Sequence, residues 1–406
     1  MFATIIAGLT TLFTLAGLGY YIVALWSARA FLRRPRCAAG FAPPVSILKP
    51  IHGLDPSMME AFASHCRQTY SGAYEILFGV SSLDDPAVPV VRQLPGDFPD
   101  QAIQLVHCPK VLGPNGKVSN LAQLLPHAHH DYLIINDADI RVGPHYLTHI
   151  LAAFAPRENH RPAGLVTALY RGRAHRTVGS RLEALGIATD FVPSVLTARF
   201  LEKGLHFGLG STLAVSRTAL DAAFQAGLAP LSEYLADDYE LGARIDAAGF
   251  RVELSSEIVE TSVPAWTFSG YLHHQLRWAR TMRESRPAGY AGLVFSYGLA
   301  WALLNLIASG LSLFALALFS LALLFRVSVA LGVGVGILGD RQVLRDLWLL
   351  IPRDIIALGV WAWSYASDTV RWREEKFKLE KGRLIRLEPG GESTRPAPAG
   401  AKPQQP

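Results

Sequence analysis

The chain contains the stretch Tyr132-Leu133-Ile134-Ile135-Asn136-Asp137-Ala138-Asp139, in which four apolar residues lead into a polar turn with two carboxylates. A short apolar run that ends in turn residues is typical of a buried strand. Two carboxylates one residue apart at a strand end can turn into the same cleft and hold a divalent metal with phosphate oxygens. An ordinary solvated turn has the same composition, so the motif alone leaves both interpretations open.

Three apolar runs upstream have the same character, at residues 45–48, 76–80 and 103–107. Segments of helical character lie between the runs, at residues 58–67, 86–93 and 118–127. Strands that alternate with helices predict an α/β, Rossmann-like domain with a mostly parallel sheet covered on both faces. Ligands bind beyond the carboxyl ends of such strands. Asp84 and Asp85 follow the second run, so we expect them to face the same crevice as Asp137 and Asp139.

Two other motifs carry groups suited to this crevice. Asp237 and Asp238 precede a segment of helical character that extends to residue 248. Carboxylates at a helix start are favoured as caps, and the functional alternative is a general base that points into the cleft. Lys117 follows a Gly-Pro-Asn-Gly turn, which either simply precedes a helix or brings the lysine to a phosphate.

An aromatic segment at residues 266–278 contains His274, Arg277 and Trp278 and lies just before an apolar block. An interfacial helix that is anchored by Trp and Arg would have this composition. The alternative is that Arg277 offers its planar guanidinium to a diphosphate.

Two uncharged stretches predict a membrane protein. Residues 2–28 are long enough to span a bilayer and lack a basic n-region and a cleavage site, so we expect a permanent anchor. The arginines that follow, at positions 29, 33, 34 and 36, indicate by the positive-inside rule that the globular domain is cytoplasmic. The second stretch, residues 287–325, begins a membrane region.

The C-terminal region is harder to divide. Two spans fit between residues 288 and 339, with Arg326 either at the end of the second span or snorkelling from it. Arg353 and Asp354 interrupt the next apolar stretch, residues 347–366, which we interpret as interfacial or re-entrant. The predicted organisation is a 1–28 anchor, a 41–286 globular domain, a 287–367 membrane region and a basic 368–406 tail, disordered over 389–406.

The 406-residue chain has a formal net charge of +5 and a pI near 9.1, which raises the question of nucleic acid binding. The basic residues cluster beside the apolar segments and in the tail, a distribution that favours anionic lipid headgroups and no nucleic acid. The cysteines Cys37, Cys66 and Cys108 have unrelated spacings that match no metal motif, so we expect free thiols.

Together the motifs resemble family 2 glycosyltransferases, specifically ceramide glucosyltransferases and, more closely, the bacterial hopanoid-biosynthesis glycosyltransferases. The resemblance covers nearly the whole chain and rests on motifs in the family's order: Val45-Ser46-Ile47-Leu48-Lys49-Pro50 with Gly53, Asp55 and Pro56; Asp84-Asp85-Pro86-Ala87; Lys117 with Asn120-Leu121; Asp137 with Ile140-Arg141; Asp238-Tyr239; Arg277-Trp278; and the basic ending after Trp372. It implies a GT-A fold, a UDP-sugar donor and a membrane lipid acceptor.

The resemblance also implies roles for the singled-out residues. Asp84 or Asp85 would contact the nucleotide base, and Lys117 would bind the diphosphate. Asp137 and Asp139 would hold Mg²⁺ or Mn²⁺ with that diphosphate. Asp238 would be the catalytic base, while Arg277 and Trp278 would bind diphosphate and shape the acceptor site. The family has Gln or Arg where this chain has His274, whose imidazole can still donate a hydrogen bond.

The implied reaction is inverting transfer of N-acetylglucosamine or glucose from a UDP-sugar to a hopanoid polyol at a bacterial inner membrane. Glucosylation of ceramide is the nearest alternative, and we expect residues 191–212, taken as a loop, to decide the acceptor. A processive polysaccharide synthase is disfavoured because few spans are available for a polymer channel. A non-catalytic protein that binds nucleotide sugars or anionic lipids would not need all three acidic motifs.

Overall fold

The computed structural model describes residues 2–34, 40–55, 57–158, 160–225, 227–372 and 375–387. Arg36, Cys37, Pro56 and the segment 389–406, which were singled out above, lie outside these ranges. Cys66 and Cys108 are buried free thiols, as expected.

A seven-stranded sheet forms the centre of the globular part, in the order β3-β2-β1-β4-β6-β5-β7. Its strands are β1 (Val45–Pro50), β2 (Tyr74–Val80), β3 (Ala102–His107), β4 (Tyr132–Ile135), β5 (Ala163–Ala174), β6 (Leu213–Ser216) and β7 (Arg251–Val263). Among the described strands of this sheet, only β6 runs antiparallel to its neighbours. The predicted α/β domain with a mostly parallel sheet is therefore confirmed.

The strand β1 lies between two parallel partners, with Ile47 opposite Ile76 of β2 and Ile134 of β4. All six of its residues are buried, because neighbours cover both edges and helices cover both faces. The strand β3 has only one neighbour and exposes three of its six residues. The expectation that residues 103–107 form a buried strand is correct about the strand and wrong about its burial.

Helices pack on both faces of the sheet, and each face has its own apolar core. Successive strand residues alternate between the cores, so that Leu48 faces one and Ile47 the other. The helices of this part are α2 (Met58–Cys66), α3 (Val88–Asp97), α4 (Gly116–Leu124), α5 (Tyr146–Leu151), α6 (Val178–Gly186), α7 (Val192–Leu201), α8 (Arg217–Ala223) and α9 (Asp237–Ala247).

A π-helical segment, Ile187–Phe191, joins α6 to α7. The three elements form one apolar helix, Val178–Leu201, which is long enough to cross a membrane but is mostly buried against the rest of the protein. The expectation that residues 191–212 form a loop is therefore wrong for Val192–Leu201. The sequence alone did not distinguish helix from loop here, because the apolar side chains of this segment are buried by residues distant in the chain.

The remaining helices are α1 (Phe2–Leu32), α10 (Phe268–Ser285), α11 (Pro287–Gly292), α12 (Gly298–Ala308), α13 (Leu313–Val329), α14 (Gln342–Asp346) and α15 (Leu350–Ser364). Besides Val178–Leu201, the segments Ala3–Leu32 and Leu313–Val335 are long and apolar enough to span a membrane. The pair Pro287–Ser296 and Gly298–Ala308 meets the same test together but bends by 52°. These helices identify a membrane protein.

The N-terminal helix α1 is integrated with the rest of the protein. It crosses α12 where Gly17 meets Gly298, so closely that a Cβ on Gly17 would lie 2.2 Å from the Gly298 Cα atom. Asn305 of α12 donates a hydrogen bond of 2.9 Å to the Ala7 carbonyl. Further along α1, Phe31 and its apolar neighbours join the core that also contains Leu48.

Arg326 lies in a buried ion network. Its guanidinium contacts the Asp354 carboxylate at 2.7 and 2.8 Å and the Asp190 carboxylate at 2.8 Å, and its side chain is 1% exposed. Arg353 forms a further ion pair with Asp190. The expectation that Arg326 ends a span or snorkels is wrong, because the charge is neutralised inside the protein. The same pairs reduce the cost of placing Arg353 and Asp354 in the apolar helix α15.

Residues after α15 form a three-stranded antiparallel sheet that the sequence analysis did not predict: β8 (Thr369–Trp372), β9 (Glu375–Glu380) and β10 (Arg383–Arg386). Phe377 and Leu379 pack with Leu235 in a small apolar core, whereas Lys376 and Lys378 point outward. This sheet contacts the loop before α9, where Arg383 forms an ion pair of 3.1 Å with Glu233. It therefore lies beside the loop that leads to Asp238.

Candidate active site

Hydrogen bonds from the buried side chains of Asn136 and Lys49 hold the turn after β4 in place. Asn136 is fully buried and its side-chain amide donates to the Ser211 carbonyl at 2.8 Å and the Tyr146 hydroxyl at 3.1 Å. Lys49, at the end of β1, donates from Nζ to the Asp137 carbonyl at 3.1 Å. These bonds fix the backbone of the Asp137 turn, so that its carboxylates project beyond the carboxyl end of the sheet.

Lys117 joins three elements at this edge. Its Nζ atom lies 2.7 Å from Asp137 Oδ1 and 3.4 Å from Asp237 Oδ2. Asn115 caps the start of α4 by accepting the Val118 N–H at 3.2 Å, and its amide donates to Asp237 Oδ1 at 3.3 Å. The two carboxylates raise the pKa of Lys117 against the opposing effect of burial. The lysine is thus a fixed cation at the predicted phosphate position.

Asp238 lies beside this cluster. A Cβ built on Gly210 would be 3.0 Å from Asp238 Oδ2 and 3.7 Å from Asp137 Oδ2, so both carboxylates border the space above this glycine. Burial and the neighbouring Asp237 raise the pKa of Asp238 to about 6, although Lys117 opposes the shift. The two predicted motifs therefore meet at one place, and Asp238 has the elevated basicity of a general base.

Asp139 has contacts different from those of Asp137. Its Oδ2 atom accepts a short hydrogen bond from the Thr261 hydroxyl, and burial together with Asp137 raises its pKa. It lines a small pocket with Glu60, Arg141 and Glu260. Lys49 is fully buried beneath the turn, where burial lowers its pKa to about 7 despite the two nearby aspartates.

The first acidic pair divides into two environments. Asp85 is buried and accepts the Gly53 N–H at 3.0 and 3.1 Å and the Ala87 N–H at 2.9 Å. It thereby ties the loop after β1 to the loop after β2. Asp84 is exposed at the same edge, with its carboxylate accessible. Contact of either residue with a nucleotide base stays a prediction.

The motif of His274, Arg277 and Trp278 lies on α10, next to the buried carboxylate of Glu183. His274 Nδ1 lies 3.0 Å from Glu183 Oε2, and its ring stacks on Trp266 with centroids 5.1 Å apart. Burial lowers the pKa of Arg277, and Glu183 opposes this shift. Within the described residues the Arg277 guanidinium has no ion-pair partner, so it is available to an anionic ligand.

A row of aromatic rings connects α10 with the carboxylates. Trp278 lies 6.2 Å from Phe191, which lies 5.2 Å from Tyr170, measured between ring centroids. Burial raises the pKa of Tyr170, and Asp238, Glu183, Asp137 and Asp139 contribute in the same direction. Tyr170 is therefore close enough to these four carboxylates to interact with them electrostatically, and it lies at the end of the row away from Trp278.

The donor set fits a divalent metal. The predicted ligands Asp137 and Asp139 offer hard carboxylate oxygens in the turn after β4. No group of three His, Cys, Asp or Glu residues suited to a metal is found in the described part of the chain. Mg²⁺ commonly takes one or two carboxylates and completes its shell with water and substrate phosphates, which matches a site of this kind.

Sequence reasoning missed several residues of the site. Lys49 and Asp237 belong to motifs quoted above, but no function was assigned to them. A lysine inside a buried strand could have indicated a functional site, because burying an unpaired charge is costly. Gly210, Thr261 and Glu183 had no local signal, because each reaches the site from an element distant in sequence.

A parallel-rich α/β sheet with carboxylates clustered beyond its strand ends, next to membrane helices, defines a membrane glycosyltransferase with a GT-A-like fold. The chain belongs to Glycosyl transferase family 21, whose sequence profile it matches over residues 9–385. In structure it is similar to a mannosyltransferase from Pyrobaculum calidifontis in complex with GDP-Man and Mn²⁺, at a TM-score of 0.52 and 17% identity over 89% of this chain and 99% of that one. This likeness supports the fold.

Curated relatives are ceramide glucosyltransferases. Ceramide glucosyltransferase 1 of Caenorhabditis elegans is 23% identical over 359 residues, which cover 85% of this chain and 73% of that protein. Ceramide glucosyltransferase 3 of the same organism is 25% identical over 59% of this chain and 50% of its own length. The Candida albicans ceramide glucosyltransferase is 31% identical over 24% of this chain and 20% of its own length. The matches thus range from one fifth to nearly three quarters of the relatives' lengths.

Proposed function

We propose that this enzyme transfers glucose or N-acetylglucosamine from a UDP-sugar to a hydroxyl group of a membrane lipid, with inversion at the anomeric carbon. The observation that carries the proposal is the convergence of Asp137, Lys117 and Asp238 at the end of the sheet. The aromatic rings of Tyr170 and Phe191 lead from these residues to Trp278. In this proposal the diphosphate site and the acceptor base lie side by side, next to the membrane helices.

The donor would bind with its diphosphate at Lys117 and its base toward Asp84. Arg277, which is free of ion pairs within the described ranges, would add a second cation for the leaving diphosphate. Asp137 and Asp139 would hold Mg²⁺ or Mn²⁺. The bound metal would neutralise phosphate charge. The similar mannosyltransferase was solved with Mn²⁺ and a nucleotide sugar, which supports this expectation.

In the reaction, Asp238 takes the proton of the acceptor hydroxyl as that oxygen attacks the anomeric carbon. The bond from this carbon to the diphosphate oxygen breaks on the opposite face, and the nucleotide diphosphate departs with the bonding electrons. Lys117 and Arg277 stabilise the negative charge that collects on it. A carboxylate with its pKa raised to about 6 is a stronger base than an ordinary aspartate and still ionised at neutral pH.

Ceramide takes first place as the acceptor because the relatives named above are ceramide glucosyltransferases. The hopanoid polyol that the sequence resemblance favoured takes second place. Both are uncharged amphiphiles with primary or secondary hydroxyl groups. The arginines after α1 place the catalytic domain on the cytoplasmic side of the membrane in this proposal.

The direct test supplies purified protein in nanodiscs with UDP-glucose or UDP-N-acetylglucosamine and with ceramide or bacteriohopanetetrol. Mass spectrometry then detects the glycolipid. We expect one donor and acceptor pair to give product and Asp238→Asn protein to give none. Absence of a glycolipid from all four pairs, with an active donor preparation, would contradict the proposal.

A further inference from the structure

A cavity of about 120 Å³ lies on the membrane side of α10. Its walls come from α1, the α6 to α7 helix, α10, the bent pair and α15, represented by Tyr20, Ser194, Gln275, Tyr297 and Ala357. Trp278 and Phe191 line the cavity, and the Phe191 ring lies 5.2 Å from that of Tyr170, measured between centroids. The cavity thus lies among the membrane helices, with the aromatic row of Trp278, Phe191 and Tyr170 on the side of the proposed active site.

The cavity wall is mostly apolar with a few polar groups, and each of its charged side chains already contacts a partner side chain. Two carboxylates, Glu183 and Asp190, and one guanidinium, Arg353, are the charged groups among the lining residues that the structure describes. Arg353 forms an ion pair with Asp190, and its Nη1 atom also lies 3.8 Å from Asp354 Oδ1. Glu183 contacts His274. The lining therefore offers hydrogen-bonding groups without an uncommitted cation.

The Asp190 carboxylate reaches this wall because of an irregularity in the helix. It belongs to the π-helical segment Ile187–Phe191, a feature that is frequent at functional sites. Its side chain is 32% exposed, whereas Arg353 is 8% exposed. The carboxylate side chain is therefore the more accessible member of this pair.

We propose that this cavity binds the polar head of the acceptor and selects an uncharged, hydroxyl-bearing amphiphile over a phosphorylated lipid. This inference rests on the proposed function and deepens it. A phosphate in a partly buried site requires a free cation, and here it would meet two carboxylates and a paired arginine. A hydroxyl or amide head would instead hydrogen-bond to Asp190, Ser194 or Gln275, while its chains extend between the membrane helices.

The first test fills the cavity. Ala357→Trp places a large ring in it, and Ile355→Trp puts the same ring on the exposed side of the same helix. With UDP-glucose and a fluorescent hexanoyl ceramide, we expect Ala357→Trp to raise the acceptor KM about tenfold or more while the donor KM and acceptor-independent UDP release stay unchanged. Ile355→Trp should behave like wild type. Ser194→Leu is the second filling variant if Ala357→Trp loses UDP release.

The second test needs no variant. 1-O-methyl ceramide, which is uncharged and has its primary hydroxyl blocked, should compete with the fluorescent ceramide, and ceramide 1-phosphate should compete at least about tenfold more weakly. Equal competition, or an unchanged acceptor KM in a filling variant that retains UDP release, would overturn the cavity assignment although sugar transfer stands. Failure of the wild type to glycosylate any lipid would instead overturn the proposed function.

Discussion

The Lys117 ammonium lies 2.7 Å from Asp137 and 3.4 Å from Asp237, so one cation holds the starts of α4 and α9 against the end of β4. We expect Lys117→Gln to lower kcat/KM for the donor by about 10²-fold, because it removes a preorganised charge from the leaving diphosphate. Steady-state kinetics of UDP release measure this. The exposed Lys110→Gln is the matched control, and a Lys117→Gln enzyme within about twofold of it would refute the role.

Substitution of Asp238 separates binding from chemistry. Asp238→Asn keeps the size of the side chain but removes the base, so glycolipid formation should fall below detection while UDP-sugar affinity changes only a few-fold. Mass spectrometry and calorimetric titration with the donor measure the two quantities. Asp221→Asn, on an exposed face of α8, should retain full activity. Substantial turnover by Asp238→Asn would show that another group takes the proton.

The raised pKa of Asp238 predicts the acidic limb of the pH profile. The base is lost as the pH falls through about 6, whereas an ordinary aspartate would remain ionised to about pH 4. We therefore expect kcat/KM to decline tenfold per pH unit below about 6 and to be level above it. Activity should return when samples held at low pH are brought back to pH 7. A profile that stays level down to about pH 4.5 would contradict this prediction.

Gly210 offers a test of the metal-binding expectation. A Cβ there would lie 3.0 Å from Asp238 Oδ2 and 3.7 Å from Asp137 Oδ2, so Gly210→Ala should crowd the space between the carboxylates. We expect a chelator to abolish wild-type activity and Mn²⁺ or Mg²⁺ to restore it. Gly210→Ala, which crowds Asp238 against the predicted ligand Asp137, should need a higher metal concentration for half-maximal rate. Gly204→Ala, where a Cβ has ordinary contacts, is the control. Full activity in excess chelator would remove the metal from the mechanism.

The buried ion network predicts a stability effect. Arg326→Met would leave Asp354 buried without its main partner, and breaking a buried pair in this way costs about 3–5 kcal/mol. Arg345→Met breaks a pair whose arginine is 58% exposed, which is worth about 1 kcal/mol or less. Thermal inactivation in detergent should therefore occur at a clearly lower temperature for Arg326→Met. Similar inactivation temperatures for the two variants would contradict the network's role.

Local patterns were sufficient where short-range physics decides the structure. The strand Tyr132–Ile135 and the helix that starts at Asp237 were predicted closely, because apolar runs, turn residues and caps act within a few residues. The helix Val192–Leu201 was missed, since its apolar residues are buried by distant elements. The exposure of β3 was missed as well, because being an edge strand is a property of the sheet order.

The sequence by itself determined the α/β class, the apolar segments and the three acidic motifs, because each of these depends on neighbouring residues. Only the tertiary structure decided that Asp137 shares Lys117 with Asp237, that Gly210 lies between Asp137 and Asp238, and that Arg326 is neutralised rather than snorkelling. These relations join residues tens to hundreds of positions apart. Their electrostatic energies depend on distance and burial in space, which local sequence patterns do not encode.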